Sequence, residues 1–121
     1  MKRVIILLVE DDPDVRSFLA RALARVAPHA DVHVVCNGIE ALDNIANGPP
    51  DLIVSDHRMP RMTGLELLVH VRAQSPTPFI MISADITVQA QALANGVSAF
   101  LAKPVSLGEL RRVVEQLINV L

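Results

Sequence analysis

The stretch VIILLVEDDP, residues 4–13, is an unbroken run of six apolar residues followed by three acids and a proline. An apolar run without alternation indicates a strand that is buried on both faces, as in the interior of a parallel sheet. Asp12 before Pro13 is typical of a helix N-cap and a first helical position. Apolar residues then continue at helical spacing at Val15, Phe18, Leu19, Ala22, Leu23 and Val26. The stretch therefore predicts a buried strand that leads into a helix, with acids at the junction.

The alternation of an apolar run and a helical pattern occurs five times along the chain. Further strands are predicted over residues 32–35, 52–54, 79–82 and 99–102, the first of them at an edge because it is only partly apolar. Further helices are predicted over residues 37–46, 65–71, 87–94 and 106–121, the last opened by a capping box of Ser106 and Glu109. The alternation predicts an α/β fold, a (βα)5 doubly wound parallel sheet. Right-handed crossovers and one switch point give the flavodoxin-like strand order 2-1-3-4-5.

Composition and charge narrow the class of protein. A chain of 121 residues fits one domain over residues 1–121, with no output domain. The net charge of −2 and the scattered basic residues argue against direct nucleic-acid binding. No stretch is long enough for a membrane span or a signal peptide, so we expect a cytoplasmic protein without a membrane partner. The single cysteine, Cys36, follows two valines and is predicted to be a buried structural thiol.

Polar side chains follow four of the predicted strands, and the carboxyl ends of parallel strands meet at one edge of a sheet. These side chains are Glu10, Asp11, Asp12, Asp56, Ser83 and Lys103. Clustered carboxylates favour a hard cation such as Mg²⁺, which binds through carboxylates and phosphate oxygens. A carboxylate can also attack phosphorus as a nucleophile, and a lysine and a hydroxyl can bind phosphate oxygens. The set therefore predicts phosphoryl chemistry at this edge.

Four segments together resemble the receiver domains of two-component response regulators, and in particular chemotaxis-regulator-like ones. They are LVEDDP (residues 8–13), DLIVSDHRMP (51–60, followed by Met62 and Gly64), ISA (82–84) and FLAKP (100–104). They cover essentially the whole chain in the right order. The segment from Asp56 to Gly64 and the Lys103-Pro104 pair are specific when found together.

The resemblance implies a role for each matching residue. Asp56 would be the phosphoacceptor. Glu10 and Asp11 would bind Mg²⁺ (or Mn²⁺) together with Asp56, with Asp11 as the more direct ligand of the pair. The backbone carbonyl of Arg58 would complete the protein's share of the metal ligands. No binding site for an organic cofactor is implied.

The switch residues carry two departures from the family pattern. Ser83 would be the switch hydroxyl, in place of the commoner Thr, and Lys103 would pair with the phosphoryl group. Phe100 matches the switch aromatic, often Tyr, and lacks the phenol oxygen. The Lys103-Pro104 peptide bond is usually cis in the family. Neither departure removes the phosphorylation chemistry.

The resemblance also implies the partners. A sensor histidine kinase or a histidine phosphotransfer protein would donate the phosphoryl group, as in a phosphorelay. The signal would leave through the face made by the fourth helix, the fifth strand and the fifth helix. The chain would be a switch that catalyses its own phosphorylation and dephosphorylation, not an enzyme for a separate substrate. The sequence does not identify the downstream target.

Simpler interpretations stay open for several residues. Asp12 is fully explained as a helix cap, Ser83 as a turn serine, Lys103 as a solvated lysine and Phe100 as core. His57, next to Asp56, suggests either acid–base chemistry or a loop residue that tunes access and dephosphorylation. The apolar stripe of the last helix fits packing on the sheet, with a homodimer interface as the alternative; its members are Leu107, Leu110, Val114, Leu117 and Leu121.

Three rival functions are also open. Asp12-Pro13-Asp14-Val15 resembles the opening motif of haloacid-dehalogenase-like phosphatases, in which Asp12 would be the nucleophile. A pseudo-receiver would bind partners without phosphorylation, although all five expected site positions are retained. A flavodoxin-like cofactor binder would need a phosphate-binding loop after the first strand, where this chain has three acids instead.

Overall fold

The computed structural model describes residues 3–118 of the chain. The elements are β1 (Val4–Val9), α1 (Pro13–Val26), β2 (Ala30–Val35), α2 (Gly38–Ala46), β3 (Leu52–Asp56), α3 (Gly64–Arg72), β4 (Phe79–Ser83), α4 (Gln89–Ala94), β5 (Ala99–Ala102) and α5 (Leu107–Leu117). A short 3-10 turn, Ile86–Val88, leads into α4. All strand pairs are parallel and their order is β2-β1-β3-β4-β5, which confirms the predicted fold.

The apolar run of β1 serves two cores, because successive residues of a strand point to opposite faces of the sheet. Ile6 and Leu8 pack on one face with α1 and α5. Leu7 and Val9 pack on the other face with α2, α3 and α4. All four side chains are fully buried. Because both faces are covered by helices, β1 has no polar alternation, as its sequence predicted.

Helix starts follow the predicted caps, with one difference. Asp12 accepts hydrogen bonds from the backbone N of Asp14 (2.9 Å) and of Val15 (3.1 Å). Ser106 accepts from Glu109 N at 3.1 Å, but within the described chain the Glu109 side chain makes no return bond, so this box is only half formed. The complete capping box is at α3, where Thr63 and Glu66 bond each other's backbone N.

Two further predictions need correction. The fourth helix begins at Gln89, not at residue 87, because Asp85 accepts from Thr87 N and shapes a 3-10 turn before it. Cys36 is exposed, so the predicted buried thiol is wrong. It follows the last residue of β2, an edge strand that is only partly covered, and the two valines before it do not carry it into the core.

The stripe of α5 packs on its own domain. Leu110 and Val114 are fully buried against α1 and the sheet, so two positions of the proposed dimer seam are inside the fold. The predicted helix over residues 106–121 is too long, because α5 ends at Leu117 and Ile118 has an extended backbone. Leu121 lies outside the described residues. Phe18, by contrast, belongs to the helical pattern of α1 but is half exposed. Among residues 3–118, no helix is both long and apolar enough to cross a membrane.

Candidate functional site

Strand register brings three acids together at the carboxyl edge of the sheet. Val9 of β1 lies beside Ser55 of β3, so Glu10 and Asp56 follow on neighbouring strands. Glu10, Asp11 and Asp56 each offer a carboxylate oxygen, and these oxygens all lie within 4.8 Å of one another. Asp12 is not in this cluster and caps α1 instead. The predicted set of acids is therefore brought together, with Asp12 in the structural role.

Lys103 lies between two of these acids. Its Nζ is 3.3 Å from Glu10 Oε1 and 3.3 Å from Asp56 Oδ2. Its backbone N donates to the Ser83 carbonyl at 3.0 Å, which ties the end of β5 to the end of β4. Lys103 is thus not the solvated lysine of the simpler interpretation. The cluster sets three carboxylates against this one ammonium, and hard divalent cations prefer such oxygen ligands.

Glu10 is held in an unfavourable environment for its charge. Its side chain is fully buried. Burial, and then the nearby charge of Asp56, raise the pKa of Glu10 above its usual value. Hydrogen bonds from Asp12 N (3.2 Å) and Lys103 offset this only in part. A cation beside Glu10 would stabilise its charged form, and the site residues therefore fit a divalent metal ion.

Asp56 is fixed by contacts on both of its carboxylate oxygens. Oδ1 accepts from His57 N at 2.7 Å, and Oδ2 faces Lys103. Ser55, buried beside it, donates its hydroxyl to the Asp56 carbonyl at 2.8 Å. The start of α3 packs on the same carbonyl: a Cβ on Gly64 would lie closer to it than real Cβ contacts allow. Glycine at position 64 is therefore required by this close approach.

The remaining predicted site residues lie around this centre. Ser83 is fully buried, and its Oγ accepts from Asp85 N at 3.0 Å. The Arg58 side chain is exposed and reaches Asp85 at 3.5 Å. Phe100 is half-buried and packs on the cluster beneath α3 and α4. The Lys103-Pro104 peptide bond is cis.

Sequence reasoning missed Arg16. Its Nη1 donates to the carbonyl of Glu10 at 3.2 Å and of Asp11 at 3.5 Å, so α1 braces the turn that carries both acids. The same nitrogen lies 3.5 Å from Cys36 Sγ. An arginine in the first turns of a helix resembles any solvated residue in sequence, so no signal distinguished it.

Comparisons with known proteins identify the family of this chain. The family model of the response regulator receiver domain matches residues 6–115. Response regulator protein PilR of Pseudomonas aeruginosa is 38% identical over 94% of this chain and 26% of its own length. DNA-binding transcriptional regulator NtrC of Escherichia coli is 35% identical over 98% of this chain and 26% of its own length. The chain thus spans about a quarter of these relatives.

Solved structures give the same result. Chemotaxis response regulator CheY4 of Vibrio cholerae has a TM-score of 0.85 and 27% identity, covering 97% of this chain and 100% of that one. The receiver domain of a sensor histidine kinase of Pseudomonas aeruginosa has a TM-score of 0.86 and 28% identity, covering 96% of this chain and 98% of that one. That structure has a magnesium ion coordinated in its active-site cleft. With the family model matched over residues 6–115 and the fold shared, this chain belongs to the response regulator receiver domains of two-component signalling.

Proposed function

We propose that this receiver domain accepts a phosphoryl group on Asp56 from a phosphohistidine, in a reaction that depends on Mg²⁺ and that Mn²⁺ also supports. The donor is a sensor histidine kinase or a histidine phosphotransfer protein. The donor's phosphorus–nitrogen bond breaks and a phosphorus–oxygen bond to Asp56 forms. The donor ring carries a proton on its second nitrogen and therefore leaves as neutral imidazole. The observation that carries the proposal is the placement of Asp56 Oδ2 at 3.3 Å from Lys103 within a cluster of acids.

Each site residue has a task in this proposal. Asp56 supplies the attacking oxygen, and Lys103 shifts from the carboxylates to an oxygen of the bound phosphoryl group. Glu10, Asp11, Asp56 and the backbone carbonyl of Arg58 would hold the metal ion. The ion's chemistry is the neutralisation of charge on the transferring group, which phosphoryl transfer mainly requires.

The switch begins at Ser83. Its Oγ bonds Asp85 N at the start of the loop to α4, so a hydroxyl that moves toward a phosphoryl oxygen must release that loop. Phe100 lies half-buried on β5 beside the same face and would turn inward. The populations of two conformations then shift on the face of α4, β5 and α5, which is read by a downstream protein. A second copy of the chain is the alternative partner for this face. Leu110 and Val114 would not contribute to such a dimer interface, because both side chains are buried inside the domain.

We propose a switch and not an enzyme that turns over a separate metabolite. Asp12, the nucleophile of the phosphatase alternative, has its carboxylate engaged by the first turn of α1. Direct nucleic-acid or membrane binding is not part of the proposal. We place the domain in the cytoplasm, where ATP supplies the phosphohistidine donors.

Intact-protein mass spectrometry after incubation with acetyl phosphate and Mg²⁺ tests the proposal. The wild type should gain one phosphoryl group, and Asp56→Asn or removal of the metal should abolish the gain. Asp12→Asn is the matched control, because asparagine also caps helices and the adduct should be retained. No adduct with any donor would favour a pseudo-receiver. An adduct that survives Asp56→Asn and is lost in Asp12→Asn would favour the phosphatase interpretation.

A further inference from the structure

The backbone of His57 is tied to two different elements. Its N–H donates to Asp56 Oδ1 at 2.7 Å, and its carbonyl accepts from Gly64 N at 2.8 Å. Gly64 is the first residue of α3. The peptide units on either side of His57 thus connect the carboxylate of Asp56 to the start of that helix.

The ring of His57 makes a second connection to the same helix. Its Nδ1 accepts from Leu65 N at 3.3 Å. The N–H groups at the start of a helix have no partner within it, so an acceptor there acts as a cap. Thr63 caps Glu66 N, and His57 satisfies the two amides before it, those of Gly64 and Leu65.

This contact fixes the form and the direction of the ring. An acceptor Nδ1 carries no proton, so the proton of the neutral ring is on Nε2. Nδ1 therefore points at α3 and not at the carboxylate of Asp56. That orientation removes Nδ1 from acid–base chemistry at Asp56.

We propose that His57 is a positioning residue for Asp56. The ring, anchored on Leu65 N, keeps the His57 peptide from rotating, so that its N–H stays on Oδ1 and leaves Oδ2 beside Lys103. The proposal rests on the role of Asp56 as the phosphoacceptor. The His57 ring thus acts on Asp56 indirectly, through its contact with the first turn of α3.

Three substitutions separate this task from simple packing. His57→Asn places an amide oxygen close to the position of Nδ1, His57→Gln places one close to Nε2, and His57→Ala has neither. His70 is an exposed residue of α3, and His70→Gln is the control for the loss of a histidine. The rate of adduct formation on Asp56 and the free energy of unfolding are measured for all variants.

We expect His57→Asn to react within about twofold of the wild type, and the Ala and Gln variants to react about three- to tenfold more slowly, the scale of one hydrogen bond. Rescue by Asn alone supports positioning. Equal rates in Asn and Gln variants, or an unchanged rate in His57→Ala, overturn the proposal. If rates follow unfolding free energies across all variants without rescue by Asn, the role is only structural and the proposal is overturned.

A readout that needs no phosphorylation separates this proposal from the proposed function. Long-range ¹H–¹⁵N correlation spectra at about pH 8, where a histidine ring is neutral, should show the His57 proton on Nε2 and Nδ1 as a hydrogen-bonded acceptor. A proton on Nδ1 would contradict the anchoring. A wild type that forms no adduct overturns the proposed function, and with it the positioning role, even where the spectrum shows the anchored ring.

Discussion

At the amino-terminal ends of β4 and β5, Arg72 is surrounded by neutral acceptors, whereas at the carboxyl edge Glu10 and Asp56 crowd around Lys103. Arg72 donates to the carbonyls of Gly96 (2.9 Å), Ser75 (3.2 Å) and Thr77 (2.6 Å). The positive charge of Arg72 is therefore stabilised by the dipoles of three backbone carbonyl groups. The acids of the carboxyl edge, by contrast, repel one another, and burial raises the pKa of Glu10.

We infer from the contrast that the amino-terminal edge of the sheet contributes stability, whereas the carboxyl edge holds the proposed phosphoacceptor site. Arg72 holds the loops before β4 and β5 together, which fixes the strands that carry Ser83 and Lys103. At the carboxyl edge, burial and the nearby charge of Asp56 raise the pKa of Glu10, and perturbed carboxylates of this kind are common at functional sites. Removal of a charge at the two edges should therefore change stability in opposite directions: loss of the Arg72 charge should destabilise the domain, and neutralisation of Glu10 should stabilise it.

The largest change in stability is expected at Gly64, where the start of α3 packs closely on the Asp56 carbonyl. Gly64→Ala would force a methyl group onto the Asp56 carbonyl, so the free energy of unfolding should fall by about 3 kcal/mol. Gly108→Ala is the control, because nothing lies within 4 Å of its Cβ position; in α5 it should gain about 0.5 kcal/mol from helix propensity. Urea denaturation measures both, and equal stability of the two variants would contradict the close approach at Asp56.

Removal of Arg72 tests the amino edge. Arg72→Ala leaves the carbonyls of Gly96, Ser75 and Thr77 without their common donor, so we expect a loss of about 2 kcal/mol. Arg111→Ala, at an exposed position of α5, should stay within about 0.5 kcal/mol of the wild type. A loss of the same size in both variants, by urea denaturation, would show that the three carbonyl contacts contribute nothing.

Neutralisation of Glu10 should raise the free energy of unfolding, whereas removal of Arg72 should lower it. Burial and the charge of Asp56 raise the pKa of Glu10, so its charged form is disfavoured in the folded state. Glu10→Gln removes that charge, and without metal the protein should become more stable by about 1 kcal/mol. The gain should be measured in chelator at neutral pH by urea denaturation. The same variant should show weakened Mn²⁺ binding by calorimetry. A loss of stability would mean that the Lys103 ion pair outweighs the burial of charge.

The smallest effect is a pH contrast between two glutamates. The pKa of Glu10 is raised above 4.5, so its stabilising contribution is full below that pH and is lost as pH rises through its folded pKa. The pKa of Glu66 is lowered below 4.5, chiefly by the hydrogen bonds from Thr63, so its contribution is present above that pH and is lost as pH falls through its folded pKa. Unfolding free energies of Glu10→Gln and Glu66→Gln, each compared with the wild type across acidic pH, should change with opposite slopes.

Most of the fold and the centre of the site could be predicted from local patterns. The two-faced burial of β1 follows from its unbroken apolar run, and the strand order follows from connection rules. The convergence of Glu10, Asp56 and Lys103 follows from the common edge of parallel strands. These predictions depend on periodicity and on chain order, both of which sequence contains.

What could not be predicted depends on long-range contact of side chains with backbone. Arg72 reaches the carbonyl of Gly96, 24 residues away, and no periodicity encodes that approach. Arg16 and the ring of His57 likewise act on backbone atoms of neighbouring elements. The prediction of a buried Cys36 is wrong because the two preceding valines belong to an edge strand, and apolar neighbours in sequence do not bury a residue at the end of such a strand.

We expect the acids of the carboxyl edge to destabilise the metal-free domain and to bind a cation and a phosphoryl group. The most direct measurement is the free energy of unfolding of the wild type and of Asp56→Asn, each with and without Mg²⁺. We predict that Asp56→Asn is the more stable protein in chelator, and that Mg²⁺ stabilises the wild type while leaving the variant almost unchanged. A variant that is less stable in chelator, together with a wild type that does not respond to Mg²⁺, would contradict the claim.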